Sequence, residues 1–262
     1  MLEFKEKDKR IVKDLAHDST KEGSRYRDFS ANLIAYKDPK SPAAEAFRIL
    51  RTNVSFSGID RSLKTIVFTS PEPNDGKTST ACNFAIAMAQ AEKSVLLVDC
   101  DLRKPRIHRY FGIHNDIGLT NALSRIDADE RPLLNYTKKI PEIKNLSIIT
   151  AGFIPPNPTE LLSSRKFQEL INQIKDFFDM VIIDTPPSAQ LSDASLVGKI
   201  SDGVLLVVAS GETDIQAAMN AKKALVNVGA KILGVVLTKI DQKSGSYYRY
   251  YYSNKYYYEE EK

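Results

Sequence analysis

Only two cysteines occur, Cys82 and Cys100, and they lack the short paired spacing of a metal site. Neither position suggests a disulfide, so a reducing cytosol is the expected compartment. Long apolar runs are missing too: none approaches the roughly 18 residues that read as a membrane span. Nothing behind Met1-Leu2-Glu3-Phe4-Lys5 has the apolar core of a secretory signal. The expectation is a soluble cytoplasmic chain whose membrane attachment is borrowed from a partner. A formal net charge of +4 argues by itself neither for nor against nucleic acid, and no nucleic-acid partner is expected. What the chain does have is core material. With 42% apolar residues among 262, it can fill one α/β domain of about 200 residues with polar ends outside it.

The most informative stretch is Thr65 to Thr78. A β-branched run, Ile66-Val67-Phe68, enters a turn-rich loop, and an alanine-rich helical pattern begins near Lys77. A loop between a strand and a helix N-terminus binds phosphate, because its N–H groups curl inward and the helix dipole adds about half a positive charge. Lys77 supplies a cation for the outer phosphates, and the Thr78 hydroxyl can ligate Mg²⁺. The pattern G-x-x-x-x-G-K-[ST] is met only in part, since Pro71 stands at its first glycine. Two further apolar runs end in carboxylates: Val95 to Val98 leads to Asp99 and Asp101, and Val181-Ile182-Ile183 leads to Asp184. A lone Asp after a strand is usually a cap or turn residue. Three of them after apolar strands, with a Gly-Lys-Thr loop after another, point to a nucleoside triphosphate site with magnesium, because strand ends in a parallel sheet share one crevice.

Residues 1–38 read as a polar arm, 39–243 as the phosphate-loop domain and 244–262 as a tail. Ser41-Pro42 opens a helix with an apolar stripe of Ala43, Phe47, Leu50 and Val54. Off that stripe stand Glu45, Arg48 and Arg51, which on a solvated face would make no more than an i,i+3 ion pair. A strand over 146–150 leads into the proline-rich run 155–158, and Thr159 or Ser163 then caps a helix carrying Phe167, Leu170, Ile171 and Ile174. Strands over 203–208 and 232–238 flank a helix over 215–228. Strands alternating with helices predict a doubly wound, mostly parallel sheet of P-loop type with helices on both faces.

The tail is different in kind. Eight of the chain's 12 tyrosines fall there: Tyr247, Tyr248, Tyr250, Tyr251, Tyr252, Tyr256, Tyr257 and Tyr258. No other apolar residue stands among them, and neither a strand nor a helix period is present. A low-complexity sticky tail or an edge strand is the plain reading. A hydroxyl able to accept phosphate, on the same chain as a nucleotide site, is the functional one.

Together these features resemble the bacterial tyrosine autokinases of polysaccharide biosynthesis, the BY-kinases. The resemblance spans residues 37–262. It rests on the loop Pro73 to Thr78, the D-x-D-x-R-x-P run Asp99 to Pro105, Asp184-Thr185-Pro186-Pro187, the run Pro155 to Leu162, the tyrosine cluster, and the E-x-x-R-x-x-R spacing of Glu45, Arg48 and Arg51. It implies an ATP- and Mg²⁺-dependent tyrosine kinase that phosphorylates its own tail in trans and regulates capsule or exopolysaccharide export. It implies nucleotide contacts from Pro73, Asn74, Asp75, Gly76, Lys77, Thr78, Ser79 and Arg103. Lys77 would act in catalysis, Thr78, Asp101 and Asp184 would hold the metal, and Asp99 would be the base for the phenol, with the order of Asp99 and Asp101 open. Glu45, Arg48 and Arg51 would close a homo-oligomeric ring. Partners would be a membrane-anchored polysaccharide co-polymerase, whose tail docks on the kinase and recruits it to the inner face of the membrane, and a cognate tyrosine phosphatase.

Three positions test this reading. Asn74 stands where the loop usually has Gly, and Asn tolerates positive φ better than most residues. Asp75 would repel phosphate unless its side chain points away. Thr238 stands where an Asn commonly helps recognise adenine. The rival readings are a partitioning or division-site ATPase switch and a pseudokinase scaffold. Glu72 near the loop and a tail of tyrosines rather than a basic amphipathic helix count against the first.

Overall fold

The protein is represented by a computed structural model that describes residues 29–57, 63–124, 134–188 and 191–240. Seven strands form one sheet in the order β3-β4-β2-β5-β1-β6-β7. The central strands β1 (Thr65–Thr69), β2 (Val95–Asp99) and β5 (Met180–Asp184) are buried at every residue. Aliphatic side chains on both faces suit a parallel sheet covered on each side. β4 (Leu146–Ile149), β6 (Gly203–Ala209) and β7 (Ile232–Thr238) extend it in parallel, and β3 (Lys138–Lys139) pairs antiparallel with β4 at one margin.

Helices cover both faces, as the alternation of patterns predicts. They are α1 (Ile34–Lys37), α2 (Pro42–Phe56), α3 (Lys77–Gln90), α4 (Ile107–Tyr110), α5 (Leu119–Ser124), α6 (Pro158–Ser163), α7 (Arg165–Ile174), α8 (Asp193–Lys199) and α9 (Ile215–Asn227). One core layer packs Val67, Leu96, Val98, Phe167, Leu170, Ile171 and Leu225 together. The other packs Ile66, Phe68, Leu97, Phe84 and Ile86. α3 is rich in small residues because it lies deep, buried from Thr80 through Ala89 between the sheet and the segment carrying α1 and α2. Among the described residues no helix is long and apolar enough to cross a membrane.

Three local expectations change. The helix expected after Thr159 is two helices, because Ser164 is extended (φ −67°, ψ 148°) and its side chain caps α7 by accepting from the Phe167 N–H. In α2 the buried residues are Ala44 and Val54 rather than the whole stripe from Ala43. Within the segment read as a polar arm, residues 29–38 pack on the domain: Leu33 is fully buried, the Ala35 N–H donates to Asn83 Oδ1 at 2.9 Å, and Phe29 meets Phe111 edge-on. Residues 1–28, 241–262 and hence all eight tail tyrosines lie outside the described residues.

Candidate active site

Register brings the carboxylates together. Phe68 of β1 and Asp99 of β2 both lie opposite Asp184 of β5, so the phosphate loop and two acids leave the sheet side by side. α3 then starts at Lys77 behind Gly76, whose φ of 95° is left-handed. The backbone therefore favours glycine, and a Cβ there would also crowd Thr238 Cγ2 at 3.3 Å. Asn74 takes φ 69°, as expected of an Asn replacing Gly.

Lys77 Nζ donates to Asp101 Oδ2 at 2.9 Å and stands 3.7 Å from Asp184 Oδ1. Thr78 Oγ1 donates to Asp184 Oδ2 at 2.6 Å, while Asp184 Oδ1 is buried with no hydrogen-bond partner. Burial pulls the Lys77 pKa down, but the Asp184 and Asp101 carboxylates outweigh it and leave the ammonium more firmly protonated than usual. Burial raises Asp184 to about 6 against the pull of Lys77. Burial, reinforced by the Asp184 charge, raises Asp99 to about 8.

The two acids of the D-x-D pair have different surroundings. Asp99 has no exposure, and its oxygens are taken by backbone donors: Oδ1 accepts from the Asp101 N–H at 3.1 Å, and Oδ2 from Arg106 and Ile107 N–H at 3.2 and 3.1 Å. It thereby ties the Asp101 turn to the start of α4. Asp101 instead lines a cavity of about 410 Å³ together with Pro73, Asn74, Gly76, Lys77, Thr78, Ser79 and Arg103. Asp75, Asp99 and Asp184 do not line it. Among the described residues no three His, Cys, Asp or Glu side chains form a protein-only metal cage.

Arg103 reaches the cavity rim, but its guanidinium is already engaged. Nε donates to Asp193 Oδ2 at 2.7 Å and Nη2 to Thr159 Oγ1 at 2.8 Å, which ties the β2 exit to α6 and α8. The trio on α2 is likewise satisfied within the chain. Arg48 Nε donates to Glu45 at 2.6 Å, and Arg51 Nη1 donates to the Ala87 carbonyl near the end of α3 at 2.8 Å. Thr238 Oγ1 donates to the Asp75 carbonyl at 2.5 Å, so it serves the loop.

Several cavity residues were not foreseen. Tyr110 reaches the wall from α4, Arg106 from the residue just before it, and Ala217 from α9. Only the position of Tyr110 and Arg106 shortly after the D-x-D run could have pointed to them. Nothing local marks Ala217.

Comparison with known proteins gives a consistent answer. Residues 63–232 match the AAA domain family. Tyrosine-protein kinase YwqD of Bacillus subtilis is 41% identical over 219 residues, which cover 84% of this chain and 90% of that protein. The crystal structure of the chimerical protein CapA2B2 superposes with a TM-score of 0.75 at 37% identity, covering 80% of this chain and 91% of that one. The kinase domain of Escherichia coli tyrosine kinase ETK gives 0.77 at 30% identity, covering 87% of each chain. With a mostly parallel sheet, a glycine-lysine-threonine helix start and carboxylates at the neighbouring strand ends, the chain belongs to the bacterial tyrosine-protein kinases.

Proposed function

We propose that this kinase transfers the γ-phosphoryl group of ATP, with Mg²⁺, to the tyrosines of its own tail, in trans between subunits. The observation that carries the reading is Lys77, held between Asp101 and Asp184 beside Thr78 where the cavity meets α3. The site fits a magnesium-nucleotide. Thr78 Oγ1 and Asp184 offer adjacent hard oxygen donors, and Asp184 Oδ1 is buried with no hydrogen bond, only the Lys77 ammonium 3.7 Å away. Bound magnesium would neutralise charge on the phosphoryl oxygens.

In this reading Lys77 leaves Asp101 and Asp184 to follow the outer phosphates, while the loop amides from Asn74 to Thr78 fix the phosphate chain. Thr78, which lines the cavity, holds the metal, and Asp184, 2.6 Å behind its hydroxyl, holds it directly or through water. The order of the D-x-D pair is best reversed from the first expectation. Asp101 faces the cavity and can take the phenol proton, whereas Asp99 is sealed and positions the Asp101 turn. A phenol with a pKa near 10 stays protonated at neutral pH until such a base takes its proton.

The process served is control of capsule or exopolysaccharide export. The activator is the cytoplasmic tail of a membrane-anchored polysaccharide co-polymerase, and a cognate tyrosine phosphatase resets the tail. A head-to-tail ring would use Glu45 and Arg48, whose ion pair is partly exposed and can be exchanged for one across subunits. Arg51 keeps its place on α3. Incubation of the purified chain with Mg-ATP, with and without the activator tail, followed by phosphotyrosine mapping, tests this. Phosphate on residues 247–258 is the expected result, and hydrolysis of ATP without any phosphotyrosine would favour a nucleotide switch.

A further inference from the structure

We propose that Thr213, in the turn between β6 and α9, is a positioning residue that presets the phosphate loop by latching Asp75. The inference rests on reading the cavity as a nucleotide site and concerns what shapes that site before nucleotide arrives. Asp75 is nearly buried, at 4% exposure. Its Oδ1 accepts from Thr213 Oγ1 at 2.8 Å, and its Oδ2 accepts from the Glu72 N–H at 2.8 Å. The direction of the first bond is fixed. Thr213 Oγ1 already accepts from the Ala209 N–H at 2.8 Å, so its one proton is left for the carboxylate.

The consequence falls on the loop backbone. Asp75 sits between Asn74 and Gly76, which have φ 69° and 95°. Successive turns of this kind aim amides at an anion, but a left-handed Asn relaxes unless its neighbours hold it. Thr213 and the Glu72 N–H clamp the Asp75 side chain from two directions, and Thr238 Oγ1 holds its carbonyl. The latch also acts electrostatically. It turns the carboxylate out of the cavity wall, where a free one would repel phosphate. The same turn starts α9, with Asp214 capping the Ala217 N–H at 2.8 Å, and Ala217 reaches the cavity wall. Loop shape and the placing of α9 are therefore one unit.

The test compares wild-type protein with Thr213→Val, Thr213→Ser, Asp75→Ala and the Thr213→Val/Asp75→Ala double variant. Mg-ADP affinity is measured by calorimetry, and amide exchange is followed in nucleotide-free protein. Thr213→Val should weaken Mg-ADP about tenfold or more, because a charged acceptor loses its donor. It should also speed exchange at residues 72–76 without nucleotide. Thr213→Ser should stay within about threefold of wild type, and Thr213→Val should add less than about twofold on the Asp75→Ala background, since the two share one interaction. In kinase assays the loss should fall on KM for ATP, with kcat at saturating ATP and KM for the acceptor nearly unchanged. Wild-type affinity and loop exchange in Thr213→Val would overturn the latch, as would an equal loss on the Asp75→Ala background. Failure of wild-type protein to bind Mg-ADP would instead overturn the nucleotide reading.

Discussion

Where β1, β2 and β5 end, Asp99 and Asp184 have no exposure and Lys77 has 9%. At the β6–β7–α9 margin, Ile215, Val235 and Leu237 stand 81%, 58% and 55% exposed. The same sheet thus seals ionisable side chains at one place and leaves aliphatic surface open at another. Burying charge is costly unless it is paired, and breaking such a pair leaves an uncompensated charge behind. The crevice therefore should be sensitive to single changes in a way the margin is not. Side chains this exposed have little buried apolar area to lose on substitution.

The sharpest way to press that contrast is Lys77→Met. It should cut phosphoryl transfer by at least about 10³-fold, because the outer phosphates lose their cation. Transfer assays on folded variant protein check it, and unchanged phosphotyrosine formation would sink the site assignment. Asp101→Asn and Asp184→Asn should each cost about 10²-fold or more as base and metal ligand. Asp99→Asn should act through geometry, with the loss accompanied by a lower melting temperature, because Asp99 holds the Asp101 turn and the start of α4.

Acidity gives a smaller but more specific test. Burial lifts Asp184 to about 6 and Asp99 to about 8, so the folded nucleotide-free chain keeps protons that the unfolded chain releases near pH 4. With more protons bound in the folded state, stability should fall as pH rises from about 4 through about 8. Thermal unfolding across that range measures the slope, and Asp99→Asn should flatten it. Mg-ADP affinity should rise as pH passes through about 6, since the metal site needs Asp184 ionised.

At the weak end, Glu45→Ala with Arg48→Ala should shift stability by less than about 0.5 kcal/mol, as for other exposed i,i+3 pairs, while light scattering reports loss of any ring. Arg51→Ala should cost more, about 1 kcal/mol, through the Ala87 carbonyl it leaves. Val235→Ser with Leu237→Ser should fall within about 0.5 kcal/mol per site in chemical denaturation. A large loss there would break the contrast between crevice and margin.

Much of the crevice was legible because its logic is local. A parallel strand delivers its last residue to the ligand edge, so Asp99 and Asp184 could be placed from apolar runs, and the helix start fixed Lys77 and Thr78. The tolerance of Asn74 for positive φ also followed from its chemistry. What could not be read depends on distant closure. Thr213 lies 138 residues from Asp75, and Thr238 lies 163 away, with no pattern linking them. The same holds for Arg51, whose acceptor, the Ala87 carbonyl on α3, lies 36 residues away. Ser164 was missed for a subtler reason: the apolar spacing of α7 continues cleanly, and a single extended residue resets the helix without disturbing that period.

The most direct measurement mixes a Lys77→Met chain bearing the intact tail with an active chain lacking residues 247–262, in Mg-ATP with the activator tail. Sixteen residues, if fully extended, could span at most about 55 Å. The account predicts phosphotyrosine on the inactive chain and, as each phosphate adds about −1.5 to −2 charges, loss of large assemblies. Label confined to active full-length chains would show transfer in cis and contradict the account.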